Sequence, residues 1–197
     1  MRGTVLYAPG DVRFEERADP IIVEPTDAII RISATCVCGS DLWPYRGIQP
    51  VTEPSPMGHE YCGIVEEVGR AVKSITPGQF VIGSFFASDN SCIICQHGYQ
   101  TSCLHREYVV GAQAPLLRVP LADGTLVPTP ERPSTDLVPS LLALSDVMGT
   151  GWFAADAAHV EHGSTVVVVP EVMTGTPVCS PGWNTRSWLA SFHVYCA

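Results

Sequence analysis

The chain has 197 residues, with 17 glycines, 17 prolines and a formal charge of −9 from 11 Lys plus Arg against 20 Asp plus Glu. That balance argues against a nucleic-acid or anionic-membrane partner, since both need clustered cations, and no run of about 18 apolar residues is present to span a bilayer. Met1–Tyr7 meets the polar Asp11–Glu16 too soon for a signal peptide, so the expectation is a cytoplasmic protein, rich in turns, with ample length for a core.

In chain order, Gly3–Tyr7, Asp11–Glu16 and Ala28–Ser33 read as short strands parted by Pro-Gly and Glu-Pro-Thr-Asp turns. Thr35–Asp41 is a polar, Cys-rich loop or short helix. Gly63–Gly69 and Phe80–Phe86 read as strands, the second behind the Pro77-Gly turn. Residues 88–105 carry three Cys and two His in a polar lobe. Ala114–Pro120 and Ala122–Val127 read as a hairpin turning at Asp123-Gly124. Helical spacing begins late, in Ser140–Met148 and Trp152–Ala158, with Gly149 and Gly151 as interruptions made for a close approach. Ser164–Val169 is a β-branched run, expected as a buried parallel strand opening a βαβ unit. Pro170–Asn184 then brings three prolines and no apolar stripe where a crossover helix is due.

Two clusters carry chemistry. Cys92 and Cys95, two residues apart, can turn both thiolates onto one ion, and Cys103 returns after a short loop. Asp89, His97 and His105 compete for the fourth position, with Asp89 favoured by its spacing to Cys92. A Cys92–Cys95 disulfide is disfavoured in a cytosolic chain. The other cluster is Cys38-Gly-Ser-Asp41 followed by Gly58-His-Glu60. Cys36 and Cys62 lie in apolar runs and read as buried thiols. Asp41 reads as a residue that holds its loop by hydrogen bonds.

Gly58, His59, Glu60, Gly63, Gly69 and Val72, with Cys38-Gly-Ser-Asp upstream, Pro77-Gly-Gln-Phe-Val downstream and Leu144–Gly151 later, resemble the zinc-dependent medium-chain alcohol dehydrogenases. The resemblance runs from residue 1 to about Val169. It implies a catalytic zinc on Cys38, His59 and Asp146, leaving one open position for water or substrate, with Glu60 close behind or alternating as a ligand. It also implies that Ser40 takes the alcohol proton. Trp43 stands where relatives often place a second relay histidine. Asp89, Cys92, Cys95 and Cys103 resemble the family's structural-zinc lobe, whose usual ligands are four Cys.

The fold expected from the resemblance is mostly β with some α. A GroES-like partial β-barrel with its zinc lobe occupies 1–139, and a helical connection with the first strand of a truncated Rossmann domain occupies 140–169. Residues 170–197 form an irregular, disordered or frame-shifted tail. Val166–Ala197 is only 32 residues, against the order of 100 a dinucleotide domain needs. Read from the last base of the Glu171 codon, the codons through Gly175 can spell an acidic Gly-rich turn, hence the expected frameshift. The implied activity is NAD(P)-linked oxidation of a small-molecule alcohol by hydride transfer, with zinc as the resident metal. Those 32 residues are too few to form the domain that binds NAD(P), so the chain is expected to be inactive or incomplete alone. A homo-oligomer or a complementing fragment are the protein partners left open, and a non-enzymatic zinc-binding remnant is the alternative.

Overall fold

A computed structural model describes residues 1–171 and 191–196. It divides into two units, Met1–Ser145 and Asp146–Ala197.

The first unit is built on β1 (Arg2–Ala8), β2 (Asp11–Glu16), β3 (Ala28–Thr35), β4 (Ser55–Pro56), β5 (Tyr61–Val68), β6 (Phe80–Gly83), β7 (Phe86–Ala87), β8 (Glu107–Tyr108), β9 (Leu116–Val119) and β10 (Leu126–Pro128). Short helices α1 (Leu42–Tyr45), α2 (Ile93–Gln96), α3 (Ala122–Thr125) and α4 (Val138–Leu142) join them. The strands form sheets ordered β2-β1-β4, β10-β6-β5-β3-β9 and β7-β8.

β5 is the spine of the larger sheet, and its two faces alternate as a strand requires. Tyr61 and Val65 point into one core with Ile30, Val81, Val119 and Leu126. Cys62 and Ile64 point the other way onto Phe80 and Ile82, a second core covered by Ala34 of β3 and by Val138, Leu141 and Leu142 of α4. Both faces are therefore buried, which is why β5 reads as a nearly unbroken apolar run. Gly63 lies where β3 comes closest: a Cβ there would sit 2.2 Å from the Arg31 carbonyl oxygen.

Two expectations for this unit change. Ala114–Pro120 and Ala122–Val127 are not a hairpin. β9 pairs with β3 and β10 with β6, at opposite edges of the five-stranded sheet. Leu121 turns left-handed at φ 49° and Asp123-Gly124 falls inside α3. The Asp123 carboxylate there accepts the amides of Lys73 and Ser74 and the Ser74 hydroxyl. Long-range hydrogen bonding has claimed a dipeptide that locally favours a hairpin. The Phe80–Phe86 run is likewise two strands, broken at Ser84-Phe85, and β7 leaves to pair with β8.

The second unit holds α5 (Val147–Ala157), β11 (Val166–Glu171) and β12 (Ser191–Cys196). α5 runs straight through Gly149 and Gly151, and a Cβ at either would meet nothing within 4 Å. Among the described residues these glycines accommodate no close neighbour; each costs helix propensity of about 1 kcal/mol. β11 pairs antiparallel with β12, from Val166↔Cys196 to Glu171↔Ser191, not in parallel. A β-branched run favours an extended backbone but carries no information on the direction of its partner. The expected irregular tail thus contains one strand, and its remaining positions, 172–190 and 197, lie outside the described residues. Among the described residues no single helix is long and apolar enough to cross a membrane.

Candidate metal centres

The first centre forms where β3 ends and β5 begins. Past Thr35 the chain leaves the sheet, and Cys38 caps a single 3-10 turn, Gly39–Asp41. The cap is reciprocal: the Asp41 amide donates to the Cys38 carbonyl at 3.1 Å, and Asp41 Oδ2 accepts the Cys38 amide at 2.9 Å. Gly58, at φ +90°, turns the chain into β5 and lets its carbonyl accept the amides of Gly111 and Ala112. His59 and Glu60 follow at the mouth of the strand. The donor atoms of Cys38, His59 and Glu60 all lie within 4.8 Å of one another.

Both nitrogens of His59 are engaged. Nδ1 is 3.3 Å from Asp41 Oδ1, and Nε2 is 3.3 Å from Ser40 Oγ. Phe85, at the break between β6 and β7, stands edge-on to the imidazole with centroids 5.9 Å apart. Glu60 is buried. Its carbonyl accepts the Thr35 hydroxyl at 2.8 Å, and its Oε2 accepts the Cys36 thiol at 3.2 Å. In the metal-free chain the Asp41 carboxylate, then Cys38, push the His59 imidazole up to about 10 against the effect of burial. Burial first, then Glu60, pushes the Cys36 thiol up to about 12.

Asp146 is the first residue of the second unit and the N-cap of α5, where Oδ1 accepts the Thr150 hydroxyl at 3.1 Å. Its chain neighbour Ser145 is buried in the first unit. The Ser145 hydroxyl accepts the Tyr61 amide at 3.0 Å and donates to the Gly83 carbonyl at 2.5 Å.

The second centre is the lobe between β7 and β8. Asp89, Cys92, Cys95 and Cys103 bring one donor atom each within 4.8 Å of the others. Cys92 Sγ lies 3.5 Å from Cys95 Sγ and 3.9 Å from Cys103 Sγ. Thiolates around tetrahedral zinc, with bonds of about 2.3 Å, stand about 3.8 Å apart, so the spacing fits that ion. It is far beyond the about 2.05 Å of a disulfide. The donor set also fits, since three thiolates and a carboxylate are all ligands zinc accepts. The amides of Leu104 and Cys95 pull the Cys92 thiol down, while burial pushes Cys95 up.

Of the rival fourth donors, the ring of His97 turns to its own helix, Nδ1 lying 2.8 Å from the Ile93 carbonyl. His105 stands behind Asp89, its Nδ1 2.6 Å from Asp89 Oδ2. Three contacts escaped the sequence: Asp41 on His59, Phe85 beside His59, and His105 on Asp89. Sequence spacing signalled only that Asp41 would cap its own turn at Cys38, not that it would reach His59. Cys62 is buried as expected; Cys36 is half-buried and bonded to Glu60.

The family profile described as the alcohol dehydrogenase GroES-like domain matches residues 24–131. A zinc-type alcohol dehydrogenase B of Aspergillus flavus is 38% identical over 163 residues, covering 80% of this chain and 37% of that protein. A medium-chain reductase/dehydrogenase, ucsI, of Acremonium is 37% identical, covering 83% and 57%. Among solved structures, the alcohol dehydrogenase TADH of Thermus sp. ATN1 superposes with a TM-score of 0.77 at 29% identity, covering 83% of this chain and 49% of that one. Zinc-dependent alcohol dehydrogenase 2 of Streptococcus pneumonia gives 0.74 at 35% identity, covering 83% and 47%. The chain thus spans about half the length of the relatives it matches.

Proposed function

Because the chain belongs to the family of zinc-type, GroES-like alcohol dehydrogenases, we propose that it carries the zinc-holding part of an NAD(P)-linked alcohol oxidation. The single observation behind this reading is the convergence of Cys38, His59 and Glu60, with Asp41 fixing the far nitrogen of His59. Cys38, His59 and Asp146 are the ligands of the catalytic zinc, and Glu60 is the adjacent carboxylate. Asp89, Cys92, Cys95 and Cys103 hold a structural zinc.

When bound at the first centre, zinc supplies the Lewis acidity that lets an alcohol lose its proton near neutral pH. The chain's own groups do the rest. Asp41 holds Nδ1 of His59 and so presents Nε2. Ser40 Oγ, beside that nitrogen and exposed to solvent, takes up the alcohol proton while handing its own hydroxyl proton to water. Trp43, three residues on, cannot act as a relay base, because an indole N–H can donate but not accept. Phe85 packs edge-on against the His59 ring. NAD(P), which family membership implies, would supply the hydride acceptor for the oxidation of alcohol to carbonyl.

Native mass spectrometry with and without NAD(P), combined with turnover of short alcohols, tests this. The expected result is two zinc ions per chain. One should be lost with Cys38→Ala or His59→Ala and the other with Cys95→Ala. NAD(P)-dependent oxidation should vanish with the first pair of substitutions alone. Two zinc ions with neither cofactor binding nor turnover would instead make the chain a zinc-binding module.

A further inference from the structure

A carboxylate beside three thiolates is free to rotate about its last bond and can offer either oxygen or both. In the lobe between β7 and β8 that freedom is removed from both sides. Asp89 Oδ1 accepts the amides of Ser91 at 2.9 Å and Cys92 at 3.1 Å, and Cys103 Sγ lies 3.4 Å from it. Oδ2 is taken by His105 Nδ1 at 2.6 Å. The same residue touches a second donor, for the His105 backbone amide points at Cys103 Sγ from 3.3 Å. The imidazole itself is 67% exposed while Asp89 is 14% exposed, so the ring leans on the lobe from outside and stays mostly in solvent.

We infer that Asp89 and His105 act as one unit at the fourth corner of the lobe, with His105 as the positioning residue that fixes the Asp89 carboxylate for metal. The inference rests on the structural-zinc reading above. A thiolate at the same corner would need no such partner, having one donor atom and no rotation that changes what it offers. The role of His105 therefore depends on the identity of residue 89, and this separates positioning from a general contribution to the loop.

A double-mutant cycle on the full chain decides it. Zinc at the lobe is titrated against a chromogenic chelator in the unaltered chain, His105→Ala, Asp89→Cys and the double variant. His105→Ala should weaken zinc binding about 10–100-fold, as loss of a ligand's hydrogen-bond partner generally does. In the Asp89→Cys background the same change should alter it less than twofold. His105→Gln, which keeps a side-chain N–H, should recover part of the loss. Circular dichroism on each variant checks that the sheets are intact, and the exposure of His105 makes their loss unexpected. Equal affinity in the unaltered chain and His105→Ala overturns the proposal. So does an equal loss in both backgrounds, which would mark His105 as a loop-stabilising residue only. If Cys95→Ala leaves zinc content unchanged, there is no lobe zinc, and the underlying reading falls first.

Discussion

Asp41 binds two partners at once: its Oδ2 accepts the Cys38 amide at 2.9 Å while its Oδ1 lies 3.3 Å from His59 Nδ1. One half-turn thereby sets the position of a thiol on one segment and an imidazole on another. Asp41→Ala should reduce zinc retention at the first centre about 10–100-fold. Asp41→Asn, which keeps an acceptor oxygen, should lose far less. Chelator competition reads both, and identical affinities in all three proteins would remove Asp41 from the metal centre.

The same contact sets a pH dependence. His59 in the metal-free chain is raised to about 10 by Asp41 first and Cys38 second, above the about 6.5 of an unfolded chain. Its charged interaction thus stabilises the metal-free fold fully below pH about 6.5 and is lost as the pH rises through about 10. Metal must displace that proton, so zinc affinity should climb between those values. Proton NMR of the His59 ring follows the titration directly; a midpoint near 6.5 would refute it.

In the lobe, stripped of metal, Cys92 should be the first thiol to react. The Leu104 and Cys95 amides favour its thiolate, whereas burial opposes ionisation of Cys95. Limited alkylation near pH 7.5 followed by peptide mapping should label Cys92 ahead of Cys95. Zinc should protect both. Labelling of Cys95 first contradicts the ordering.

Gly63 is a packing requirement. Alanine there would drive a methyl group to 2.2 Å from the Arg31 carbonyl oxygen and 2.9 Å from Ile30 Cγ2, between two strands buried in the core. The sheet must part or the chain must bend, and the cost should exceed about 3 kcal/mol. Denaturant unfolding of Gly63→Ala against Gly149→Ala, whose site is open and whose φ is not positive, measures it. Similar midpoints for the two would show that β3 yields easily.

Asp27 is fully buried under an Arg118 guanidinium, with Nε at 2.6 Å, and accepts the Val23 and Glu24 amides. Burial pushes its carboxyl up, but Arg118 and the two amides outweigh that and hold it below the ordinary value. A depressed folded-state value stabilises above the unfolded value of about 3.9, and the benefit is lost as the pH falls through the folded one. Arg118→Met should therefore destabilise by about 3 kcal/mol at pH 7, by leaving a buried carboxylate unpaired. The difference should shrink toward pH 3. A pH-independent difference would indicate lost packing instead.

Much of the sheet was legible because β5 alternates between two apolar faces and because turn residues bracket β1, β2 and β3. The metal-ligand spacing of Cys92, Cys95 and Cys103 was legible for a similar reason: it is local, and a thiol pair two residues apart has few other uses. The hairpin at Asp123-Gly124 failed where local preference lost to distant amides at Lys73 and Ser74. The break at Ser84-Phe85 was hidden because apolar residues flank the Gly83-Ser84 pair on both sides.

The amino-acid sequence by itself determined the strand pattern, the donor types and the family to which they belong, since each is written in residues close together along the chain. It could not say which strands would pair, in which direction β11 would run, or what would stand behind a ligand. Tertiary structure alone decided that Asp41 reaches across to His59 and His105 to Asp89. These hydrogen bonds join segments 18 and 16 residues apart, and only the folded backbone fixes which donor meets which acceptor.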